Sequence, residues 1–160
     1  MADQSTRVHI NISGDKDVVA MLNSVGLEIK DMQPAMQDVG KYLKGFFSGE
    51  VFASRGGAIG ERWPRLSTKY AAYKAKKYPG RPVLVRTGVM QKSFTYKSKP
   101  LQVTISNKAA HFVYHQSSAP RSLIPYRPMM KVEEGDQRYQ EIVKIINNRL
   151  AQTIKAKGGA

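Results

Sequence analysis

Between Arg62 and Val132 the sequence carries 15 Lys and Arg residues and no Asp or Glu. A solvated protein face normally mixes both signs, so a single-sign block of this length creates a field that draws a polyanion or an acidic protein surface. Its candidate contact residues are Arg62, Arg65, Lys69, Lys74, Lys76, Lys77, Arg81 and Arg86. Against nucleic acid they would make phosphate contacts that ignore base sequence and weaken with salt. Against an acidic protein surface they would steer docking. The sequence does not choose between these two partners.

Other residues in reactive-looking patterns lead to weaker chemistry. His111 and His115 have the parity to share one strand face, which invites a metal reading, but no carboxylate lies in the block to complete a coordination set. A polar or interface role is the simpler reading of both. Gly56, Gly57 and Gly60 resemble a phosphate-cradling loop only in glycine content, since no Gly-Lys-Ser/Thr follows. The absence of cysteine excludes disulfides, thiolate zinc sites, iron–sulfur clusters and cysteine nucleophiles. Metal-dependent phosphodiester cleavage needs clustered carboxylates, and no Gly-x-Ser-x-Gly elbow appears. The expectation is therefore no catalytic residue, no cofactor and no metal.

The rest of the chain frames this block. Residues 1 to 61 hold 6 basic and 8 acidic residues and residues 133 to 160 hold 5 and 4, so the middle accounts for the net charge of +14. With 160 residues, 41% of them hydrophobic, the chain suits one compact domain spanning residues 1–160. No apolar run approaches the ~20 residues that cross a bilayer, and Met1 to Arg7 lack the apolar segment of a secretory signal. Synthesis and retention in the cytosol, with no membrane partner, is the expectation.

Hydropathy patterning predicts the elements that position the block. Val8, Ile10 and Ile12 alternate with polar residues, giving a strand over 7–13 that Gly14 ends. Asp15 and Asp17 suit a helix start, and Val18, Leu22, Val25, Ile29 and Met32 form a helical stripe. Pro34 breaks that helix or opens a second, striped by Met36, Val39, Leu43 and Phe46, so that a helical arm covers 15–53. The glycine-rich run 54–60 reads as a flexible loop. It leads through Trp63 into a basic helix capped by Ser67 and running to about Lys77, and then a turn over 78–82. Thr87 is placed to cap a short helix over Gly88 to Ser93. Residues 94–130 switch to a period of two, with strands at Phe94–Lys97, Leu101–Ser106 and His111–His115. A polar loop follows from Ser117 to Pro128. Ile142, Ile146, Leu150 and Ile154 stripe a closing helix over 136–156, after which Lys157 to Ala160 should fray.

Trp63 reads first as a core residue under the glycine-rich loop, with an inter-subunit anchor as the alternative. Thr87 and Gly88 read as structural, the hydroxyl capping the next turn and the glycine allowing close backbone approach.

In order, Phe52, Gly60-Glu-Arg-Trp63-Pro-Arg-Leu66-Ser67, Leu84-Val-Arg-Thr87-Gly88-Val-Met-Gln-Lys-Ser93, Phe112-Val-Tyr114-His115-Gln116 and Ile124-Pro125-Tyr-Arg127-Pro128 resemble the pattern of the phage virion morphogenesis, or tail-completion, family. The match departs at Ser117-Ser118, where a glycine usually follows, and at Met129-Met130, where Phe-Leu is usual. The resemblance implies a small α+β subunit with an antiparallel sheet packed on N- and C-terminal helices and a projecting glycine-rich loop and basic helix. It further implies a homo-oligomeric ring, of six subunits, at the tail or neck of a virion assembled in the host cytoplasm. Tail-tube and neck or connector proteins would be its partners, genomic DNA a non-specific contact in the lumen, and tail termination or head–tail joining its role, without catalysis. The alternative is a sequence-independent nucleic-acid-binding protein for DNA packaging or retention. Against it, the aromatic residues fall at core-like positions rather than on an evident stacking platform.

Overall fold

A computed structural model of the chain describes residues 7–11, 15–119 and 123–158, with side chains from Lys16 onward. The fold is α+β. In chain order it consists of β1 (Arg7–Asn11), α1 (Asp15–Ser24), a 3-10 turn (Ile29–Met32), α2 (Gln33–Ser48), α3 (Glu50–Ala53), a 3-10 turn (Gly57–Ile59), α4 (Thr68–Lys77), α5 (Val89–Lys92), β2 (Phe94–Lys99), β3 (Gln102–Asn107), α6 (Phe112–Gln116) and α7 (Gln137–Gly158). The strands form one sheet in the order β1-β3-β2. The predicted strand end at Ile12 to Gly14, part of the 117–128 loop and the last two residues lie outside the described residues.

β2 and β3 form the expected hairpin, turning at Pro100-Leu101, and Thr95 Oγ1 meets Ser106 Oγ at 3.1 Å across it. That register stacks Phe94, Tyr96 and Ser98 on one face opposite Asn107, Ile105 and Val103, and those β3 residues are buried. β1 supplies the further strand that the period-two pattern near the N-terminus predicts.

The chain packs as two compact units, Met1–Val8 with Lys44–Thr95 and Ser106–Lys131, and His9–Leu43 with Tyr96–Ile105 and Val132–Ala160. The first unit has an aromatic core. Phe52 sits edge-on to Trp63 at 5.4 Å and to Phe94 at 6.3 Å, and Phe94 edge-on to Phe112 at 5.8 Å, with Phe47 stacked on Phe94 at 6.2 Å. Phe46 adjoins Phe47, so all 5 phenylalanines and the lone tryptophan gather here. Such pairs add about 0.5–1.5 kcal/mol each beyond area burial.

The second unit is aliphatic. Leu22, Leu27, Met32, Ala35 and Met36 form its buried centre, with Val18, Leu101, Ile146 and Leu150 packed on it. Val39, Leu43 and Ile142 are buried as the stripes predict, while Ile154 is 38% exposed. Gln33 Nε2 donates to Ser98 Oγ at 3.1 Å, and Arg149 Nε donates to Asp38 Oδ2 at 2.6 Å.

Four expectations are corrected. First, α1 stops at Ser24 rather than running to Met32, because Leu27 N–H returns to Leu22 C=O and Gly26 N–H to Asn23 C=O with Gly26 at φ 72°, a Schellman closure. Val25 and Ile29 are consequently exposed. Second, residues 112–116 are helical, not a third strand. A short apolar run does not distinguish helix from strand by period, and here Phe112 N–H to Ala109 C=O and Ser117 N–H to Val113 C=O close helical turns. Third, the glycine-rich loop is wound tightly by Gly56 N–H to Val51 C=O, Glu61 N–H to Gly56 C=O and Trp63 N–H to Arg55 C=O. Fourth, Gly88, at φ 82°, and not Thr87, holds the cap position of α5, with no side-chain cap bond.

Candidate functional site

The first unit concentrates the chain's positive charge. Among its described residues stand 15 Lys and Arg against Glu50 and Glu61, a net +13, whereas the second unit has 10 basic and 9 acidic residues, a net +1. Arg62, Arg65, Lys69, Lys76, Lys77, Arg81 and Arg86 are all exposed. Lys74 is not: it is 4% exposed, and its ammonium donates to the Pro82 carbonyl. By sequence it groups with the exposed cations Lys69, Lys76 and Lys77, and the structure turns it inward instead. Desolvation by burial, and then the nearby Arg127, lower its pKa.

Arg127 is the second buried cation, likewise 4% exposed. With no carboxylate in the block, its guanidinium donates to main-chain carbonyls, Nε to Pro64 at 3.1 Å and Nη2 to Arg65 at 3.1 Å. Burial lowers its pKa too.

The other motif residues pin the same region together. Trp63 is 5% exposed, as the core reading requires, and its Nε1 donates to Pro128 C=O at 2.7 Å. Gln116 Oε1 accepts from Met129 N–H at 2.8 Å and Met130 N–H at 3.0 Å, and its Nε2 donates to Met130 C=O at 2.8 Å. One side chain thus does for this buried segment what a neighbouring strand would do. The Met129-Met130 departure leaves both residues buried.

These pins frame a half-open cavity of about 810 Å³ whose walls come from α4, the 84–90 segment, residues 109–115 and residues 123–127. Leu66, Lys74, Arg86, Thr87, Gly88, His115, Pro125 and Arg127 meet there, while Arg62, Lys69, Lys76, Lys77 and Arg81 lie outside it. Tyr70 and Leu123 also line it without having been singled out as site residues, and Leu84, Met90 and Ile124, present in the sequence motifs, were not read as lining a cavity. Leu84 has φ 60°, a left-handed conformation costing roughly 1–2 kcal/mol in a non-glycine residue, which no sequence pattern announces. Leu123 is 90% exposed, and an exposed leucine beside Ile124-Pro125 was the available signal. Among the described residues, no carboxylate lines the cavity. His111 and His115 both border it, and among the described residues no three His, Cys, Asp or Glu side chains cluster as a metal site would need. Also among the described residues, no helix is long and apolar enough to cross a membrane.

The chain is thus an α+β protein with a segregated basic unit whose motif residues pin their own backbone. The sequence comparison gives the family: residues 14–151 match the phage virion morphogenesis family, and the chain belongs to it. It is therefore a bacteriophage morphogenesis protein with a part in building the virion. No curated protein sequence and no solved structure matches the chain.

Proposed function

We propose that this chain is a structural, non-enzymatic subunit that repeats as a homo-oligomeric ring, of six copies, at the tail or neck of the particle. There it ends tail-tube growth or joins tail to head, with its basic unit turned toward tail-tube and neck proteins. The observation that carries this reading is the segregation of charge: among the described residues of one unit, 15 basic side chains stand against 2 acidic ones and cannot be neutralised by them. Family membership supplies the setting.

The decisive experiment images particles assembled in the absence of the protein. Full heads beside separate tails support joining, and overlong tubes support termination. Normal infectious particles would contradict both.

A second reading is sequence-independent contact with the genome, and one observation favours it. On α4, Tyr70 and Tyr73 are exposed with ring centroids 6.0 Å apart, and Lys77 Nζ lies 5.7 Å from the Tyr73 ring. Exposed aromatics among cations are the elements of a single-strand stacking surface. Binding of the purified chain to short single-stranded DNA, lost in Tyr73→Ala and steeply salt-dependent, would support it.

A further inference from the structure

The cavity of the basic unit combines two kinds of wall that a single simple ligand does not need together. Lys74 and Arg127 are buried in it with no carboxylate among its described lining residues, and the exposed Arg86 also lines it. Bonds among the described residues use one of the three Lys74 ammonium hydrogens, that to Pro82, and two of the five Arg127 donors, those to Pro64 and Arg65. Between these cations the surface is aliphatic, from Leu84, Met90 and Ile124, and its rim carries Leu123 at 90% exposure and Val89 at 58%. A bare phosphate would leave the aliphatic wall uncovered. A purely apolar ligand would leave the buried cations uncompensated, which is costly in a desolvated site.

We propose that this cavity receives an acidic, aliphatic segment of a neighbouring virion protein, its carboxylates directed to Arg86, Lys74 and Arg127 and its aliphatic side chains covering Leu123 and the Leu84–Met90 wall. Charge complementarity selects the occupant. Short segments that alternate carboxylate and aliphatic side chains satisfy both walls, and a cleft of this volume suits such a segment. DNA fits this cavity less well, since Tyr70 is the only Phe, Tyr or Trp among its described lining residues and base stacking is strongest on such faces. The proposal rests on the assembly reading above and deepens it by giving the partner's chemistry.

Anisotropy titrations of the purified full chain test it with three labelled probes: a short peptide alternating Glu or Asp with Leu or Ile, the same peptide with Gly for Leu and Ile, and a short duplex DNA. The alternating peptide should bind, and its Gly counterpart should bind roughly tenfold more weakly. Arg86→Glu and Leu123→Asp should each weaken the alternating peptide by roughly tenfold, whereas the Lys144→Glu, Lys155→Glu double variant, on exposed positions of α7 outside the cavity, should change it less than about twofold. Leu123 and Arg86 are exposed, so circular dichroism should show both variants folded.

Absence of binding, equal binding of the two peptides, or equal losses in the Arg86 and Lys144/Lys155 variants would overturn the proposal. DNA binding that the Leu123→Asp and Arg86→Glu variants weaken as strongly as peptide binding would assign the cavity to nucleic acid instead. These failures stay separate from failure of the assembly reading, which would appear as normal particles made without the protein.

Discussion

The two units solve the same problem of carrying charge in opposite ways. In the second, cations find carboxylates of the same unit: Arg149 with Asp38 at 2.6 Å, Lys157 with Asp31 at 2.6 Å, Lys30 with Glu28 at 2.8 Å. In the first, carboxylates are scarce, so buried Lys74 and Arg127 rest on main-chain carbonyls and most other cations stand exposed. Their cores differ in parallel, interlocked aromatic rings against leucine and methionine. A unit whose positive charge has little internal counterpart must hold its shape by packing and by side-chain-to-backbone bonds. Its field then remains available to something outside it.

The largest test of that contrast lies in the aromatic core. Ala at Gly56 would put its Cβ 2.1 Å from Glu61 C=O and 2.6 Å from the Trp63 ring, at φ 82°. Gly56→Ala and Trp63→Ala should each cost about 3–5 kcal/mol in denaturant unfolding, comparable to losing a large core side chain. A smaller loss would mean that the first unit is not held by this contact. Next comes the Gln116 clamp: Gln116→Leu strips partners from two N–H groups and a carbonyl and should cost about 3 kcal/mol.

Lys74 gives a smaller, pH-dependent effect. Its folded-state pKa lies below the ordinary 10.5 because of burial and then Arg127, so the unfolded chain binds the proton more tightly. Stability should therefore rise as pH increases through the window below 10.5, and Lys74→Met should remove that rise. At neutral pH the variant should stay within about 1 kcal/mol of wild type, because a buried charge and a hydrogen bond are lost together. The smallest effect belongs to the second unit. Asp38→Asn breaks a pair whose side chains are 38% and 28% exposed, and the change in melting midpoint should vanish near ~1 M salt.

Much of this architecture was legible from residue spacing, for a physical reason in each case. The α2 stripe of Met36, Val39, Leu43 and Phe46 is buried because a long helix has one apolar face, and Ser67 Oγ accepts from Tyr70 N–H at 3.4 Å as a cap should. The end of α1 was not legible. Val25 and Ile29 continue its stripe, but Gly26 closes the helix before the stripe matters. The α6 segment was misread because Phe112 and Tyr114 alternate over too few residues to fix a period. At the site, the basic block and the motif residues were visible, whereas the cavity was not, since it depends on the left-handed Leu84 and on chain segments remote in sequence. The burial of Lys74 matters for any charge-reversal experiment, which should use Lys69, Lys76 and Lys77 on α4 and leave Lys74 intact.

On the proposed reading, the excess positive charge of the first unit docks this subunit into the particle. Electron microscopy of phage carrying Lys69→Glu, Lys76→Glu and Lys77→Glu, beside phage carrying Lys144→Glu, Lys155→Glu and Lys157→Glu in the second unit, measures it most directly. Few complete particles are expected in the first case and near-normal numbers in the second, with both proteins folded. Equal yields of complete particles from the two sets would contradict it.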